Sequence, residues 1–121
     1  MYNILVCDDD KEIVEAIEIY LTQEGYRILK AYDGTEALEM LEREEVHLLL
    51  LDVMMPKKSG FEVCEALRAD PARAGLLVVM LTAKGRETEV AKGLAIGADA
   101  YVTKPFSTKD LVTRVKGMLG V

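Results

Sequence analysis

The distribution of apolar residues along the chain is the feature that most constrains its fold. Five short runs rich in leucine, isoleucine, valine and alanine are four to seven residues long, which is the usual length of a strand. In the segments between them, apolar residues recur every three or four positions, which indicates amphipathic helices. Strands that alternate with helices predict an α/β fold with a parallel sheet and right-handed crossovers. The predicted strands are residues 2–7, 26–32, 46–51, 76–81 and 100–103.

The polarity of these runs predicts their order in the sheet. The third and fourth runs are almost entirely apolar, as strands covered by helices on both faces should be. The second run, YRILKAY, and the fifth, AYVT, contain polar residues and suit the edges. We therefore expect a doubly wound, five-stranded parallel sheet of order 2-1-3-4-5 with five helices, the flavodoxin-like arrangement. With 121 residues, of which 50% are hydrophobic, residues 1–121 are expected to form one domain.

Composition and charge exclude several classes of protein. The net charge of −6 argues against contact with a nucleic-acid backbone, which requires clustered lysine and arginine. No apolar run approaches the roughly 18 to 20 residues of a membrane span, and no signal-like segment opens the chain, so we expect a cytoplasmic protein without membrane contact. Cys7 and Cys64 lack the spacing of a zinc site or a disulfide framework and are expected to be buried thiols.

Short polar side chains mark the expected starts of three helices. Ser59 with Glu62, and Ser107 with Asp110, have the spacing of a capping box. Asp10 directly precedes the first helical pattern and is interpreted as its N-cap. An aspartate that follows a strand is therefore not by itself the sign of a functional site.

The stretch LLLLDVMMPKKSG contains the most unusual polar residue of the chain. It places Asp52 directly behind four leucines, where an ionised side chain is costly to desolvate unless another group compensates it. Asp8 and Asp9 follow the first predicted strand, Thr82 ends the fourth and Lys104 ends the fifth. The carboxyl ends of parallel strands share one edge, and ligands bind there at the switch point between the first and third strands. These side chains are therefore expected to converge on a site.

The chemistry of these side chains suits a metal ion and a phosphoryl group. Converging acids raise one another's proton affinity unless a cation lies between them. Carboxylate oxygens without histidine or cysteine nearby favour Mg²⁺ or Mn²⁺, with water and phosphate oxygens completing the coordination shell. Lys104 would add a positive charge, and Thr82 a neutral donor. Because a carboxylate can itself be a nucleophile, the set is compatible with an aspartyl phosphate.

Together these residues resemble the pattern of response-regulator receiver domains, the CheY-like family of two-component phosphorelays. The resemblance runs through the segments ILVCDD, DVMMPKKSG, MLTAK and YVTKPF, and so covers nearly the whole chain. It implies a phosphoacceptor with only self-phosphorylation and slow self-dephosphorylation, and not an enzyme. The implied donor is a sensor histidine kinase or a phosphotransfer protein. The implied site is Asp52 as phosphoacceptor, Mg²⁺ on Asp8, Asp9, Asp52 and the backbone carbonyl of Met54, phosphoryl contacts from Thr82 and Lys104, and an aromatic switch at Tyr101.

The resemblance also implies how the signal leaves the domain. Phosphorylation would draw Thr82 towards the new oxygens and leave room for Tyr101, changing a surface of the fourth helix, fifth strand and fifth helix that a downstream output domain or protein reads. A cis peptide is expected between Lys104 and Pro105. Taken singly, these residues have plainer interpretations. Thr82 would be an ordinary strand-end threonine, Lys104 a solvated surface charge and Tyr101 a half-exposed strand aromatic. His47, the only histidine, begins a predicted strand away from the acids and is predicted to be structural.

Assembly is predicted from a departure from the family pattern. Receivers of winged-helix transcription factors carry a double acid in GADDY, whereas this chain has GADAY, with Ala100 in the second position. Val90 occupies the place of a lysine that also contributes to pairing in those proteins. Lys92 and Asp99 are among the charges still available for pairing. Because exposed ion pairs contribute only about 0 to 1 kcal/mol each, we expect a monomer, or a weak dimer promoted by phosphorylation.

The lifetime of the phosphoryl group is predicted from two other positions. The resemblance implies that the side chains two residues after Asp52 and two after Thr82 lie beside the water that attacks the phosphoryl group, and here these are Met54 and Lys84. Methionine neither donates nor accepts a useful hydrogen bond, and lysine cannot accept one. Slow dephosphorylation is therefore expected.

Three other functions fit part of the sequence. Asp8 and Asp10 have the D-x-D spacing of haloacid-dehalogenase-like phosphatases, but those enzymes need further acids late in the chain, where Lys104 and Pro105 stand. A dinucleotide-binding module requires a glycine-rich turn after the first strand, where this chain has the acidic CDDDKE. The third is a pseudo-receiver that serves only as an interaction surface, against which the acids, the threonine and the lysine are all in place, and which an absence of Mg²⁺ binding would favour.

Overall fold

A five-stranded parallel sheet forms the centre of the molecule. The computed structural model describes residues 1–83 and 85–120. Its strands are β1 (Asn3–Cys7), β2 (Arg27–Ala31), β3 (Leu48–Asp52), β4 (Leu77–Ala83) and β5 (Ala100–Lys104). They lie in the order β2-β1-β3-β4-β5, and all four pairings are parallel, which confirms the predicted topology. The polar second and fifth strands occupy the edges, and all five residues of β3 are buried.

Helices follow the strands in alternation through the described part of the chain. They are α1 (Lys11–Gln23), α2 (Gly34–Arg43), α3 (Gly60–Arg68), α4 (Glu87–Ile96) and α5 (Thr108–Leu119), with a short 3₁₀ turn at Pro71–Arg73. Asp10 accepts hydrogen bonds from the backbone at the start of α1, as predicted, and Ser59 with Glu62 completes a capping box on α3. None of the described helices is long and apolar enough to cross a membrane.

The sheet separates two hydrophobic cores. On one face, β-strand side chains pack against α2 and α3, through residues such as Ala37, Leu41, Val63 and Leu67. On the other face, they pack against α1 and α5, through Val14, Ile17, Leu21, Leu111 and Val115. Both cysteines are buried free thiols in the first of these cores, as expected. Covering both faces explains why the central strands β1, β3 and β4 are apolar except near their ends, at Asn3, Asp52 and Thr82.

The amino-terminal edge of the sheet is closed by polar contacts between backbone groups and an imidazole ring. The backbone N–H of Asn3 donates to Nδ1 of His47 at 2.9 Å, and the N–H of His47 donates to the carbonyl of Asn3 at 2.9 Å. The ring of Tyr2 meets the imidazole edge-on, with centroids 5.3 Å apart. His47 lies just before β3, at the opposite edge of the sheet from the acids, in agreement with its predicted structural role.

Candidate functional site

The carboxyl-terminal edge of the sheet brings together four of the predicted site residues. Asp8 directly follows β1, Asp52 ends β3, Thr82 lies one residue before the end of β4 and Lys104 ends β5. Asp8, Asp52 and Thr82 are the buried polar residues of the described chain. Asp52 is only 7% exposed, so its charge is mostly removed from water. Such burial requires local compensation.

Lys104 provides that compensation. Its Nζ donates to Oδ2 of Asp8 at 2.7 Å and to Oδ1 of Asp52 at 3.1 Å. Burial disfavours the charged lysine, but the hydrogen bonds to the two carboxylates outweigh that and raise the pKa of Lys104. The Lys104–Pro105 peptide is cis, as the resemblance implied. The ammonium group therefore lies between the two buried acids.

One cation does not fully balance the two buried acids. Burial, and then the charge of Asp8, raise the pKa of Asp52 to about 6, although Lys104 acts in the opposite direction. The carboxylate of Asp8 also accepts the backbone N–H of Asp10 at 2.9 Å. The site thus retains an excess of negative charge at neutral pH. A further cation would be stabilised there.

The three acids that the resemblance assigns to Mg²⁺ lie close enough to share an ion. One carboxylate oxygen from each of Asp8, Asp9 and Asp52 falls within 4.8 Å of the others. Asp9 is exposed and could reach an ion from the solvent side. An all-oxygen donor set with a raised pKa at Asp52 fits Mg²⁺ or Mn²⁺ better than softer metals. Asp10 is engaged as a helix cap instead, and the carbonyl of Met54 remains a predicted ligand.

The structure explains why the DVMMPKKSG stretch ends in a glycine, Gly60. The N–H of Gly60 donates to the carbonyl of Val53 at 2.8 Å, which closes the loop between β3 and α3. A Cβ atom on Gly60 would overlap the backbone carbonyl oxygen of Asp52. Only glycine lets α3 begin this close to the strand end. The spacing from Asp52 to Gly60 therefore fixes the position of the candidate phosphoacceptor.

Thr82 and Tyr101 are placed differently from the phosphorylated arrangement that the resemblance describes. The hydroxyl of Thr82 donates to Oε1 of Glu89 at 3.2 Å. Tyr101 is 39% exposed on β5. Sequence reasoning missed Glu89, because an acid in the first turn of a helix is usually a response to the helix dipole. Lys84, predicted to flank the attacking water, lies outside the described residues.

Two charges that sequence reasoning left available for dimer contacts have partners within the chain. Oδ2 of Asp99 accepts from Nη2 of Arg68 at 2.8 Å and from the backbone N–H of Val78 at 2.8 Å. Nζ of Lys92 lies 4.5 Å from the ring centroid of Phe61. Both charges are therefore already engaged by groups of the same chain.

Comparison with known proteins identifies the class to which this fold and site belong. The family model described as "Response regulator receiver domain" matches residues 4–116. Similar solved structures include a CheY-like response regulator receiver domain protein from Methanospirillum hungatei JF-1 (32% identity, TM-score 0.92, 99% of this chain and 94% of that one). The chain belongs to the response regulator receiver domain family.

Two further structures place this chain among receivers of different kinds. The chemotaxis response regulator CheY4 of Vibrio cholerae is 29% identical with a TM-score of 0.91, over 97% of this chain and 98% of that one. The BeF₃-activated DrrB receiver domain is 36% identical with a TM-score of 0.88, over 100% of this chain and 99% of that one. Receiver domains are phosphoacceptors of two-component signalling that bind Mg²⁺ in an acidic pocket. In this chain Asp8, Asp9 and Asp52 form an acidic cluster at the carboxyl-terminal edge of the sheet.

Proposed function

We propose that residues 1–121 act as one receiver domain and that Asp52 is its phosphoacceptor. The observation that carries the proposal is the position of Asp52, buried at the end of β3 with Nζ of Lys104 at 3.1 Å. Family membership alone does not choose among the 21 acidic residues of the chain. Among them, Asp52 combines burial, a neighbouring cation and a raised pKa. Those properties suit a nucleophile that must face a phosphoryl donor.

The proposed reaction is transfer from a phosphohistidine of a sensor histidine kinase or a phosphotransfer protein. A carboxylate oxygen of Asp52 attacks phosphorus, so that an O–P bond forms while the P–N bond to the imidazole breaks. The imidazole keeps the electron pair and takes a proton from water. The ammonium group of Lys104 stabilises the transferred group, because it already lies beside the attacking oxygen. Asp52 afterwards loses the phosphoryl group slowly to water.

The proposed metal site consists of Asp8, Asp9, Asp52 and the carbonyl of Met54. When bound, Mg²⁺ supplies positive charge to the phosphoryl oxygens in transfers of this kind. The chain's own contribution is to hold the three carboxylates within reach of one ion. Asp8 is fixed in place by Lys104 and by the N–H of Asp10. Asp52 is fixed by the approach of Gly60 to its backbone.

The proposed output is a change in the surface formed by α4, β5 and α5, which a downstream domain or protein reads without direct nucleic-acid contact by this domain. Tyr101 is the proposed switch. It borders a cavity of about 160 Å³ beside the start of α4, lined also by Val90 and Thr103, into which its ring could turn. The likeness to a receiver solved in a BeF₃-activated form supports a switch of the same kind here.

Labelling by acetyl phosphate tests the phosphoacceptor. With Mg²⁺, the wild-type protein should gain one phosphoryl group that hydroxylamine removes, as expected of an acyl phosphate. Asp52→Asn should abolish the label. Asp10→Asn is the matched control, because it makes the same change at the same edge and retains an N-cap residue. Stoichiometric label that persists in Asp52→Asn would refute the assignment.

The proposed assembly is a monomer, or a weak dimer promoted by phosphorylation. Its support is the substitution at Ala100 together with the internal partners of Asp99 and Lys92. Sedimentation with and without beryllofluoride measures it. A tight dimer on activation would show that apolar contacts outweigh the missing charges.

A further inference from the structure

The hydroxyl of Thr82 is held by a carboxylate of α4. It lies 3.2 Å from Oε1 of Glu89, whereas the carbonyl of Ala83 is 3.5 Å away. Thr82 is buried and the Glu89 side chain is 19% exposed, so water competes for this hydrogen bond only from the Glu89 side. A charged acceptor also makes it stronger than a bond between neutral groups. The proton that would serve a phosphoryl oxygen is thus engaged by Glu89.

Glu89 shares a cavity with the proposed phosphoacceptor. The cavity has a volume of about 230 Å³, and its lining includes Asp52, Thr82, Arg86, Glu89 and Lys104. A phosphoryl group on Asp52 would bring further negative charge into this space, opposite the Glu89 carboxylate. The single hydroxyl proton of Thr82 cannot serve both acceptors at full strength. Glu89 and the phosphoryl group therefore compete.

Among the described residues, few side chains tie the start of α4 to β4, although the backbone N–H of Arg86 donates to the carbonyl of Ala83 at 3.3 Å. Arg86, the N-cap residue, makes no side-chain capping hydrogen bond, and Gly93 is the buried residue of the helix. Nη1 of Arg86 lies 3.7 Å from Oε2 of Glu89, but this pair is exposed on the arginine side and contributes little. The hydrogen bond between Thr82 and Glu89 is therefore a principal side-chain tie between β4 and the first turn of α4. Breaking it would free that turn to move.

We propose that Glu89 is a positioning residue that favours the unphosphorylated conformation by holding the hydroxyl of Thr82. This inference rests on the proposed function of Asp52 and adds a means of regulating it. A ligand that takes the Thr82 proton must first break the bond to Glu89, so the energy of that bond opposes activation. By linkage, removing the carboxylate raises the affinity for any such ligand. Release of Glu89 also couples the phosphoryl pocket to α4.

The experiment measures beryllofluoride binding in the presence of Mg²⁺ by calorimetry. Glu89→Gln removes the charge at nearly constant shape, and should bind beryllofluoride about five- to tenfold more tightly than the wild type. It should also accept the label from acetyl phosphate faster. Glu87→Gln is the matched control, since Glu87 is an exposed acid in the same turn and should leave affinity unchanged. Affinity for Mg²⁺ alone should be the same in all three proteins.

A second pair of variants separates the hydrogen bond from simple charge repulsion. In a Thr82→Ala background there is no hydroxyl to hold, so Glu89→Gln should change beryllofluoride affinity by less than it does in the wild-type background. If Glu89→Gln binds no more tightly while the wild type still binds, the inference fails and the proposed function stands. If the wild type does not bind at all, both fail. Loss of Mg²⁺ affinity in Glu89→Gln would make Glu89 a metal ligand and would also overturn the inference.

Discussion

At the carboxyl-terminal edge of the sheet, Asp8 and Asp52 are buried on either side of Lys104. At the amino-terminal edge, Asn3 and His47 exchange hydrogen bonds through backbone amides, a carbonyl and a ring nitrogen. Both edges satisfy polar groups where strands end. One does so with buried charges, and the other with backbone groups and an imidazole whose Nε2 lies 3.3 Å from the exposed carboxylate of Glu45.

The difference separates stability from function within one sheet. Neutral hydrogen bonds each contribute modestly and do not depend on ions. Burial, and then the charge of Asp8, disfavour the ionised form of Asp52 and raise its pKa, so the ionised site opposes folding. The same excess of negative charge attracts a metal ion, and a phosphoryl group can then be accommodated beside Lys104. The charged groups at the carboxyl-terminal edge therefore lower the stability of the fold, but they are the groups that the proposed phosphoryl transfer requires.

The largest effect is expected in a comparison of two glycine-to-alanine substitutions, one at each edge of the sheet, by their free energies of unfolding. Gly60→Ala would drive a Cβ atom into the backbone carbonyl of Asp52, whereas a Cβ on Gly75, just before β4, meets nothing within 4 Å. Overpacking against backbone should lower the free energy of unfolding by about 3 kcal/mol for Gly60→Ala. Gly75→Ala should leave it nearly unchanged. Urea denaturation measures both, and equal losses would mean that the close approach at Gly60 does not matter.

The next effect is the dependence of the free energy of unfolding on pH, in the absence of divalent cations. The pKa of Asp52 is raised from 3.8 to about 6 on folding, so the folded state binds a proton more tightly than the unfolded chain does. The contribution of Asp52 therefore destabilises the fold at pH 7, and this cost disappears as the pH falls through 6 towards 4. Its size is on the order of 2 to 3 kcal/mol.

Asp52→Asn tests that contribution by difference. At pH 7 with a chelator present, the variant should be more stable than the wild type, and the gap should close below about pH 4. Glu45→Gln makes the corresponding change at the amino-terminal edge, where the side chain is 80% exposed, and should follow the wild-type curve. Parallel curves for Asp52→Asn and the wild type would show that Asp52 is not the acid that destabilises the fold at pH 7.

A smaller effect should separate two neighbouring acids of the same loop. Asp9 shares the space of a potential ion with Asp8 and Asp52, whereas Asp10 accepts hydrogen bonds from the first turn of α1. Asp9→Ala should weaken Mg²⁺ binding by about tenfold or more, equivalent to roughly 1.4 kcal/mol. Asp10→Ala should instead lower the free energy of unfolding by about 1 kcal/mol. Titration calorimetry and denaturation distinguish them, and equal losses of Mg²⁺ affinity would show that the wrong acids are assigned.

Most of the sheet, and the convergence of the site residues at one edge, can be predicted from the sequence because both depend on simple patterns. Apolar runs define the strands, and the ends of parallel strands share an edge, so Asp8, Asp52 and Lys104 could be placed together without coordinates. The strand boundaries differ from the predicted ones. The third and fourth strands were predicted to end at residues 51 and 81, whereas β3 extends to Asp52 and β4 to Ala83. Strand ends depend on hydrogen bonds between neighbours, which local composition does not specify.

Contacts of long side chains were not predictable in this way. The bond from Glu89 to Thr82 depends on the rotation of α4 about its axis, and a helix whose buried residue is Gly93 specifies that rotation weakly. The bond from Arg68 to Asp99 joins residues 31 positions apart. Both require the tertiary arrangement before a partner can be chosen.

The smallest predicted effect concerns a side chain at the mouth of the carboxyl-terminal edge. Met54 is 68% exposed and lines the same cavity as Asp52 and Thr82. Hydrolysis of an aspartyl phosphate requires a water molecule oriented towards phosphorus, and a thioether offers it no useful hydrogen bond while occupying part of its approach. Met54→Asn would supply a donor and an acceptor at the same place.

Met54→Asn should therefore shorten the lifetime of the phosphoryl label, by roughly threefold to tenfold. The gain is limited because an amide orients water without removing its proton, whereas a positioned general base contributes about 100-fold or more. The decay of label after removal of acetyl phosphate gives the rate. Ile19→Asn is the control, since Ile19 is an exposed apolar residue on α1 and is absent from the cavity lining. An unchanged or longer lifetime in Met54→Asn would mean that access of oriented water at this position does not limit hydrolysis, and the slow step would then lie in the release of the charges around Lys104.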